Sequence, residues 1–176
     1  MELRFVTLSL SAIDSLRSEL GVLTFFEDER PLRGYAGLCD WRLCGRLSGL
    51  LASRRVQGRV GEKTLLPAGA RLPFERLLLV GLGQRSHFDV EAFDVASQAL
   101  VESVLGLRVR NVALALPGRS ASMIGPAESA RRFMASLGGL HDELDELAVV
   151  DEPEALREMS PILESERRRL RRSANS

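Results

Sequence analysis

The clearest structural signal in the chain is an unbroken apolar run at residues 77–80. Pro73 precedes this run, and Gly81 and Gly83 follow it. A short apolar run without polar alternation predicts a central strand that is covered on both faces. The two glycines predict the end of that strand and a turn into the next helix. A sheet with helices on both sides is therefore the expected architecture.

Similar patterns predict five further strands. Short apolar runs or period-two alternation place them at residues 3–10, 22–26, 64–66, 111–116 and 147–150. Residues 11–19, between the first two strands, are interpreted as a polar connection or a short helix. Arg54, Arg55 and Arg59 mark a basic surface loop before the third strand, at best a weak anion site.

Helical spacing of apolar residues predicts four helical segments between and after the strands. One long helix is expected over residues 31–53, with the lone Trp41 as a packing anchor near its start. A second helix is expected over residues 89–105. A third starts at Gly125-Pro126 and stops at Gly138-Gly139, and a C-terminal helical region starts at Pro153 and is interrupted or restarted at Ser160-Pro161.

The alternation of strands and helices predicts an α/β fold, a three-layer α/β/α sandwich around a mixed, mostly parallel sheet. A length of 176 residues fits one domain. We assign residues 1–152 to this domain and residues 153–176 to a C-terminal helix and basic tail. That tail is either part of the same domain or its extension.

Composition indicates a soluble globular protein whose net charge does not favour a strongly charged partner. Hydrophobic residues make up 45% and charged residues 27%, and 24 cationic side chains balance 24 carboxylates. Zero net charge disfavours nucleic acid and anionic membranes as partners. No stretch approaches the roughly 18 apolar residues of a membrane helix, and no signal peptide is recognised. Cys39 and Cys44 point about 140° apart on one helix, which predicts reduced thiols in a cytoplasmic protein.

Residue chemistry alone predicts no catalytic, metal-binding or cofactor-binding residue. The cluster Glu27, Asp28 and Glu29 is interpreted as a solvated loop tip rather than a cation site. The turn G-L-G-Q-R-S contains a G-x-G but lacks the third glycine of a dinucleotide fingerprint. His87 and His141 lack metal-ligand spacing, and no nucleophile elbow or phosphate-binding P-loop occurs.

The C-terminus carries five arginines within six positions. They are Arg167, Arg168, Arg169, Arg171 and Arg172. Such a run is typical of a solvated helix end, where cations interact favourably with the helix dipole. Contact with a phosphate backbone is the alternative interpretation.

Several stretches together resemble the N-terminal domain of the M17 leucyl aminopeptidases. The stretches are V-L-T-F-F-E-D-E-R-P-L at 22–32, L-C-D-W-R-L-C-G-R-L-S at 38–48, G-E-K-T-L-L-P at 61–67, R-L-L-L-V-G-L-G at 76–83 and N-V-A-L-A-L-P-G at 111–118. They occur in the family's order. The resemblance implies a macro-domain-like fold, in agreement with the predicted sandwich.

The resemblance does not extend to the family's catalytic part. In that family the two metal ions and the catalytic residues belong to a C-terminal domain with an N-T-D-A-E-G-R-L motif. The motif does not occur in this sequence, and Lys63, the only lysine, lies in an unrelated G-E-K-T context. The resemblance therefore assigns no catalytic or metal-binding residue to this chain.

Three functions remain open at this stage. The leading hypothesis is a stand-alone, non-catalytic relative of this N-terminal domain that acts as a protein-binding or assembly module, with a protein partner or self-association. The second is a small-molecule binder of macro-domain type, taking a nucleotide such as ADP-ribose at the carboxyl ends of the strands. Its candidate contacts are the glycine turns at Gly81, Gly83 and Gly118. The third is nucleic-acid binding through the C-terminal arginines.

We expect the purified chain to have no aminopeptidase activity with added zinc, manganese or magnesium, because its sequence lacks the ligand motif. Hydrolysis of a leucine chromogenic substrate measures this, with a full-length cytosol aminopeptidase as positive control. Metal-dependent cleavage that persists through further purification would contradict the prediction.

Overall fold

The computed structural model describes residues 1–138 and 140–174. Within them lies one six-stranded sheet in the order β1-β6-β5-β2-β4-β3. Every neighbouring pair is parallel except β3 with β4, which is antiparallel. The predicted mixed, mostly parallel sheet is confirmed. The strands are β1 Glu2–Thr7, β2 Ser18–Phe25, β3 Lys63–Pro67, β4 Phe74–Gly81, β5 Asn111–Leu114 and β6 Glu146–Asp151.

Helices cover both faces of the sheet. Buried residues of the first three helices share one core cluster, and those of the last four share the other. The helices are α1 Leu10–Asp14, α2 Gly34–Arg42, α3 Arg46–Ala52, α4 Val90–Leu107, α5 Pro126–Ser136, α6 Leu140–Glu143 and α7 Pro153–Ala174. Single 3₁₀ turns occur at Arg85–His87 and Arg119–Ala121.

Alternation along the strands supplies both clusters. In β2, Leu20 and Val22 belong to the cluster beneath α4–α7, whereas Leu23 and Phe25 belong to the cluster beneath α1–α3. Side chains of a strand point alternately to opposite faces, so a strand with apolar side chains on both faces must be covered on both. The predicted three-layer α/β/α sandwich is confirmed.

The single helix predicted over residues 31–53 is wrong, because the chain forms two helices there. Cys44 and Gly45 between α2 and α3 both have positive φ, 55° and 79°. The Asp40 carboxylate accepts hydrogen bonds from the backbone N–H groups of Leu47 at 2.8 Å and Ser48 at 3.2 Å. A glycine that adopts the left-handed region and a carboxylate that caps the next helix together explain the break.

The interruption predicted at Ser160-Pro161 is also wrong. The helix α7 runs through Pro161, whose ring removes one backbone donor from the helix ladder. Met159 and Leu163, on either side of the proline, are fully buried in the cluster beneath α4–α7. Packing of this apolar face against the sheet therefore holds the helix together across the proline.

Several strand boundaries differ from the prediction for local reasons. The strand predicted over residues 3–10 ends at Thr7, because Ser9 caps α1 by accepting the Ala12 N–H at 3.2 Å. The strand predicted at residues 22–26 begins earlier, at Ser18. Polar residues at its start hide that part of β2 from a pattern search.

The loop between α3 and β3 packs against the end of β4. The Glu62 carboxylate accepts hydrogen bonds from the N–H groups of Gln57, Gly58 and Arg59 at 2.7–3.1 Å. The N–H of Gly81 in turn donates to the Glu62 carbonyl at 2.9 Å. A side chain at Gly81 would overlap backbone atoms of residues 58 and 59. The loop therefore requires a glycine at the end of the central strand.

Replacement Gly81→Ala is expected to destabilise the protein by about 2 kcal/mol, because the new methyl group overlaps backbone that cannot easily move. Gly106→Ala in α4 is the matched control, since a Cβ there meets nothing within 4 Å. The control should be neutral or stabilising by up to about 1 kcal/mol. Urea denaturation measures both changes. Equal stabilities of the two variants would contradict the packing argument.

Candidate functional site

A cleft with a volume of about 420 Å³ lies at the carboxyl ends of the parallel strands. This edge is where open α/β sheets place their ligands. The loops after β1, β5 and β6 and the first turn of α2 line the cleft. The residues that carry its chemistry are Gly34, Tyr35, Arg119, Ser120, Asp151 and Glu152.

A buried ion pair crosses the inner side of the cleft. The Arg119 Nε donates to the Asp151 Oδ2 at 2.7 Å, and the two side chains are only 9% and 6% exposed. Arg119 also donates from Nη1 to the Ile124 carbonyl at 2.9 Å, while Asp151 Oδ1 accepts the Glu152 N–H at 2.8 Å. Hydrogen bonds therefore satisfy both charges, and the pair ties the loop after β5 to the end of β6.

Glu29 places a second carboxylate near this cleft. Its Oε2 accepts hydrogen bonds from the Phe26 N–H at 3.2 Å and from the Ser120 hydroxyl at 3.3 Å. Its Oε1 is buried and has no hydrogen-bond partner among the described residues. The residue is 2% exposed, so the interpretation of residues 27–29 as a solvated loop tip is wrong for Glu29. The fold of the loop, which brings Ser120 to Glu29, buries this charge.

Asp28 in the same loop is exposed and pairs with the turn after β4. It accepts hydrogen bonds from the N–H and the Nε of Arg85 at 3.1 and 3.3 Å. Desolvation raises the pKa of Asp28, but the hydrogen bonds and charge of Arg85 outweigh it, so the pKa lies below its ordinary value. The pair links the loop after β2 to the loop after β4.

Tyr35 brings a buried hydroxyl to the first turn of α2. Burial raises its pKa well above the ordinary value, so the phenol stays protonated. The hydroxyl has no hydrogen-bond partner in the described part of the chain. The ring packs edge-on against Phe74, with centroids 6.4 Å apart. A packing role beneath α2 follows from these contacts.

The three glycines predicted as ligand contacts lie against protein. A Cβ at Gly83 would come within 2.5 Å of the Val60 side chain, and one at Gly118 within 2.5 Å of the Phe88 ring. Gly81 is covered by the loop at residues 58–59. None of these glycines is among the residues that line the cleft. Close packing within the protein accounts for glycine at all three positions.

The predicted nucleic-acid contacts lie at the end of α7. Arg168 pairs with Glu164 at 3.3 Å, and Arg169 pairs with Glu166 at 3.8 Å. Arg167 is half-buried and Arg172 is exposed, whereas the side chain of Arg171 lies outside the described part of the chain. Acidic neighbours on the same helix thus offset part of the arginine charge.

The remaining candidates for chemistry lie apart from the cleft. In the described residues, no group of three or more His, Cys, Asp or Glu side chains could hold a metal ion. His141 contacts the Gly138 carbonyl at 2.8 Å through Nδ1 and Asp142 at 3.1 Å through Nε2. Cys39 is buried and Cys44 is exposed. Burial raises the pKa of the Cys39 thiol, which keeps it in the unreactive form.

A larger groove, of about 970 Å³, lies along α2 and is also lined by residues 70–73, which precede β4. Trp41 lines it and is 64% exposed, so the prediction that Trp41 is a packing anchor is wrong. Its position at the end of α2, next to the break before α3, turns the ring outward. Sequence spacing could not reveal this, because the break was not predicted.

The sequence of this chain matches a known protein family. The profile of the cytosol aminopeptidase family, N-terminal domain, matches residues 22–140, more than half of the chain. This chain belongs to the cytosol aminopeptidase family. A probable cytosol aminopeptidase of Synechocystis sp. is 30% identical over 97 residues, covering 55% of this chain and 20% of that protein. The chain thus matches about a fifth of the length of the curated cytosol aminopeptidases.

Solved structures agree on the fold. A mutant of tomato leucine aminopeptidase superposes with a TM-score of 0.58 at 19% identity, covering 92% of this chain and 35% of that chain. A Trypanosoma brucei macrodomain in complex with ADP superposes with a TM-score of 0.70 at 12% identity, covering 92% of this chain and 68% of that chain. This member of the aminopeptidase family therefore has the macrodomain fold. In its described residues, no helix is long and apolar enough to span a membrane.

Removing one partner of the buried ion pair is expected to be costly. Arg119→Met and Asp151→Asn should each destabilise the protein by about 3 kcal/mol, because each leaves a buried charge unpaired. The double variant should be less destabilised than the sum of the single variants, with a coupling of at least about 1 kcal/mol. Urea denaturation of the four proteins measures the cycle. Additive single effects would show that the two side chains act independently.

Proposed function

We propose that this chain is a non-catalytic relative of the aminopeptidase N-terminal domain that acts as a protein-binding or assembly module. The observation that carries the proposal is the exposed Trp41 in the groove along α2. Tryptophan is enriched among the residues that dominate protein interfaces, and a large aromatic side chain left in water is costly. A partner that covers this ring would remove its apolar surface from water, which the isolated domain does not do.

The extent of the family match supports a role without aminopeptidase catalysis. The match covers the N-terminal domain, whereas the resemblance assigns the metal ions and catalytic residues to the C-terminal domain. The N-T-D-A-E-G-R-L motif of that domain does not occur in the sequence. The match therefore supports binding rather than aminopeptidase catalysis as the proposed role.

Binding of ADP-ribose or a related nucleotide is the competing proposal. It is favoured by the cleft at the carboxyl ends of the strands and by the similarity to a macrodomain described in complex with ADP. The charges of the cleft oppose it. Asp151 engages the Arg119 guanidinium, Glu152 adds a second carboxylate to the lining, and Glu29 lies next to the lining residue Ser120. Like charges at close range disfavour an anionic ligand.

Nucleic-acid binding through the C-terminal arginines is weaker still as a proposal. Glu164 and Glu166 pair with two of the arginines, and the chain carries no net charge. Deletion of residues 167–176 is a direct check. We expect no DNA binding tighter than about 10 μM at physiological salt with or without these residues.

Saturable association separates the binding-module proposal from the nucleotide proposal. We expect the immobilised chain to retain a specific protein from an extract of its host, or a second copy of itself, and free chain to compete for it. Light scattering after size-exclusion chromatography measures self-association in parallel. A chain that stays monomeric and retains nothing that free chain displaces would contradict the module.

Calorimetry tests the nucleotide proposal directly. We expect ADP-ribose and ADP to bind with dissociation constants above about 10 μM, which corresponds to about −7 kcal/mol. The control variant Glu29→Gln removes one carboxylate charge near the cleft and should bind no more weakly than the parent. Tighter binding by the parent, lost on Ser120→Trp within the cleft, would establish the nucleotide site instead.

A further inference from the structure

Charge is unevenly distributed along this neutral chain. Residues 33–71, which contain α2, α3 and β3, carry eight arginine and lysine side chains but only two carboxylates, Asp40 and Glu62. The segment therefore has a net charge of +6, and the rest of the chain has a net charge of −6. A zero total hides a basic region that can attract an acidic partner.

The two carboxylates of this segment are turned inward. Asp40 is buried and accepts hydrogen bonds from backbone N–H groups at the start of α3 and from the Ser48 hydroxyl. Glu62 accepts hydrogen bonds from three backbone N–H groups of the loop at residues 57–59. Within the described part of the chain, neither carboxylate forms an ion pair with an arginine. The basic charge is consequently presented to solvent.

The groove along α2 combines this charge with apolar surface. Arg42 lies over the Trp41 ring, 5.3 Å from its centroid, and is held there by ion pairing with Asp14. Arg71 also lines the groove, is exposed and donates a hydrogen bond to the Cys44 sulfur at 2.8 Å. Leu72 and Pro73 lie next to Arg71 in the same lining.

Further arginines flank the groove. Arg33 follows the lining residue Leu32, and Arg46 follows the lining residue Gly45. Both are exposed, and Arg46 donates to the Pro67 carbonyl at 3.3 Å. Arg42 and Arg71 thus bring guanidinium groups into the lining beside Trp41 and apolar residues, and the carboxylates of Asp14 and Asp40 also line the groove, engaged by Arg42 and by the start of α3. Guanidinium groups bind carboxylates by paired hydrogen bonds, and tryptophan accepts an aliphatic or aromatic side chain.

We propose that this groove is the binding site for an acidic peptide segment of a partner protein. One apolar side chain of the segment packs on Trp41, Leu72 and Pro73, and carboxylates on either side pair with Arg71, Arg46 and Arg33. This inference rests on the proposed function and assigns to it a surface and a class of partner. The groove lies on α2 away from the cleft at the carboxyl ends of the strands, so the two surfaces can be tested separately.

The lining of the groove favours a peptide over a nucleic acid. Proteins that bind single-stranded nucleic acid use several aromatic rings, which stack on successive bases. Among the described residues that line the groove, Trp41 alone is aromatic, and the Arg42 guanidinium covers one side of its ring. Proline and leucine side chains supply much of the apolar lining, which suits an apolar side chain flanked by charges.

Fluorescence anisotropy with three labelled probes tests the proposal on the full chain. The probes are a peptide of repeated Glu-Glu-Leu triplets, the same repeat with lysine in place of glutamate, and an oligothymidine with the same number of negative charges. Of the three probes, we expect only the glutamate peptide to bind saturably. Its affinity should fall as the salt concentration increases.

Two variants locate the binding surface. Trp41→Ala and Arg71→Glu should each weaken binding of the glutamate peptide about tenfold, or 1.4 kcal/mol. Arg157→Glu is the matched control, since it makes the same charge change at an exposed position of α7, in the other helical layer. We expect the control to change the affinity by less than about twofold. All three side chains are exposed, and urea denaturation verifies that the variants fold.

Several results would overturn the assignment. They are no binding of the glutamate peptide, equal binding of the lysine peptide, tighter binding of the oligothymidine, or an equal loss with Arg157→Glu. Self-association that Arg71→Glu abolishes would make a second copy the occupant. If the chain retains a partner protein that Trp41→Ala and Arg71→Glu leave bound, this inference fails while the proposed function stands. If no partner is retained and the chain also stays monomeric, the proposed function itself fails.

Discussion

Burial of the parallel strands on both faces is the constraint on which the rest of the structure depends. β2 lies between β5 and β4, and its side chains enter both core clusters. Apolar residues on both faces require a helical layer on each side, because neither face can be left in water. The parallel arrangement also brings the carboxyl ends of five strands to one edge, which creates the cleft. Loops at that edge can then vary without altering the sheet.

Two surfaces of opposite electrostatic character result from this arrangement. At the carboxyl ends of the strands, Arg119 and Asp151 neutralise each other in a buried ion pair. The buried Glu29 adds a carboxylate that accepts the Ser120 hydroxyl. Along α2, Asp40 is turned inward to backbone N–H groups and Asp14 pairs with Arg42, while Trp41 and Arg71 remain exposed. A family member that shares the macrodomain fold thus has an acidic cleft at the edge where open sheets hold ligands. Its exposed aromatic and basic groups lie elsewhere.

The local sequence pattern predicted strands and helices well where apolar spacing was the only signal. It failed where apolar spacing competed with a glycine or a proline. The apolar runs of β4 and β5 and the spacing of α4 were sufficient to place those elements. The spacing of Leu43, Leu47 and Leu51 continued across Gly45, so periodicity suggested one helix where the glycine and the Asp40 cap make two. At Pro161 the opposite occurred, because burial of Met159 and Leu163 outweighed the missing backbone donor.

The amino-acid sequence by itself determined the layer architecture and the family, because short-range apolar periodicity and the order of the stretches that resemble the family are read directly along the chain. Only the tertiary structure decided which charges are buried, paired or exposed. Arg119 meets Asp151 across 32 positions, and Ser120 reaches Glu29 across 91. Composition reports a neutral chain, yet folding turns Asp40 and Glu62 inward and leaves the arginines around Trp41 outside. Electrostatic interaction depends on distance in space and on access to water, and neither can be read from positions along the chain.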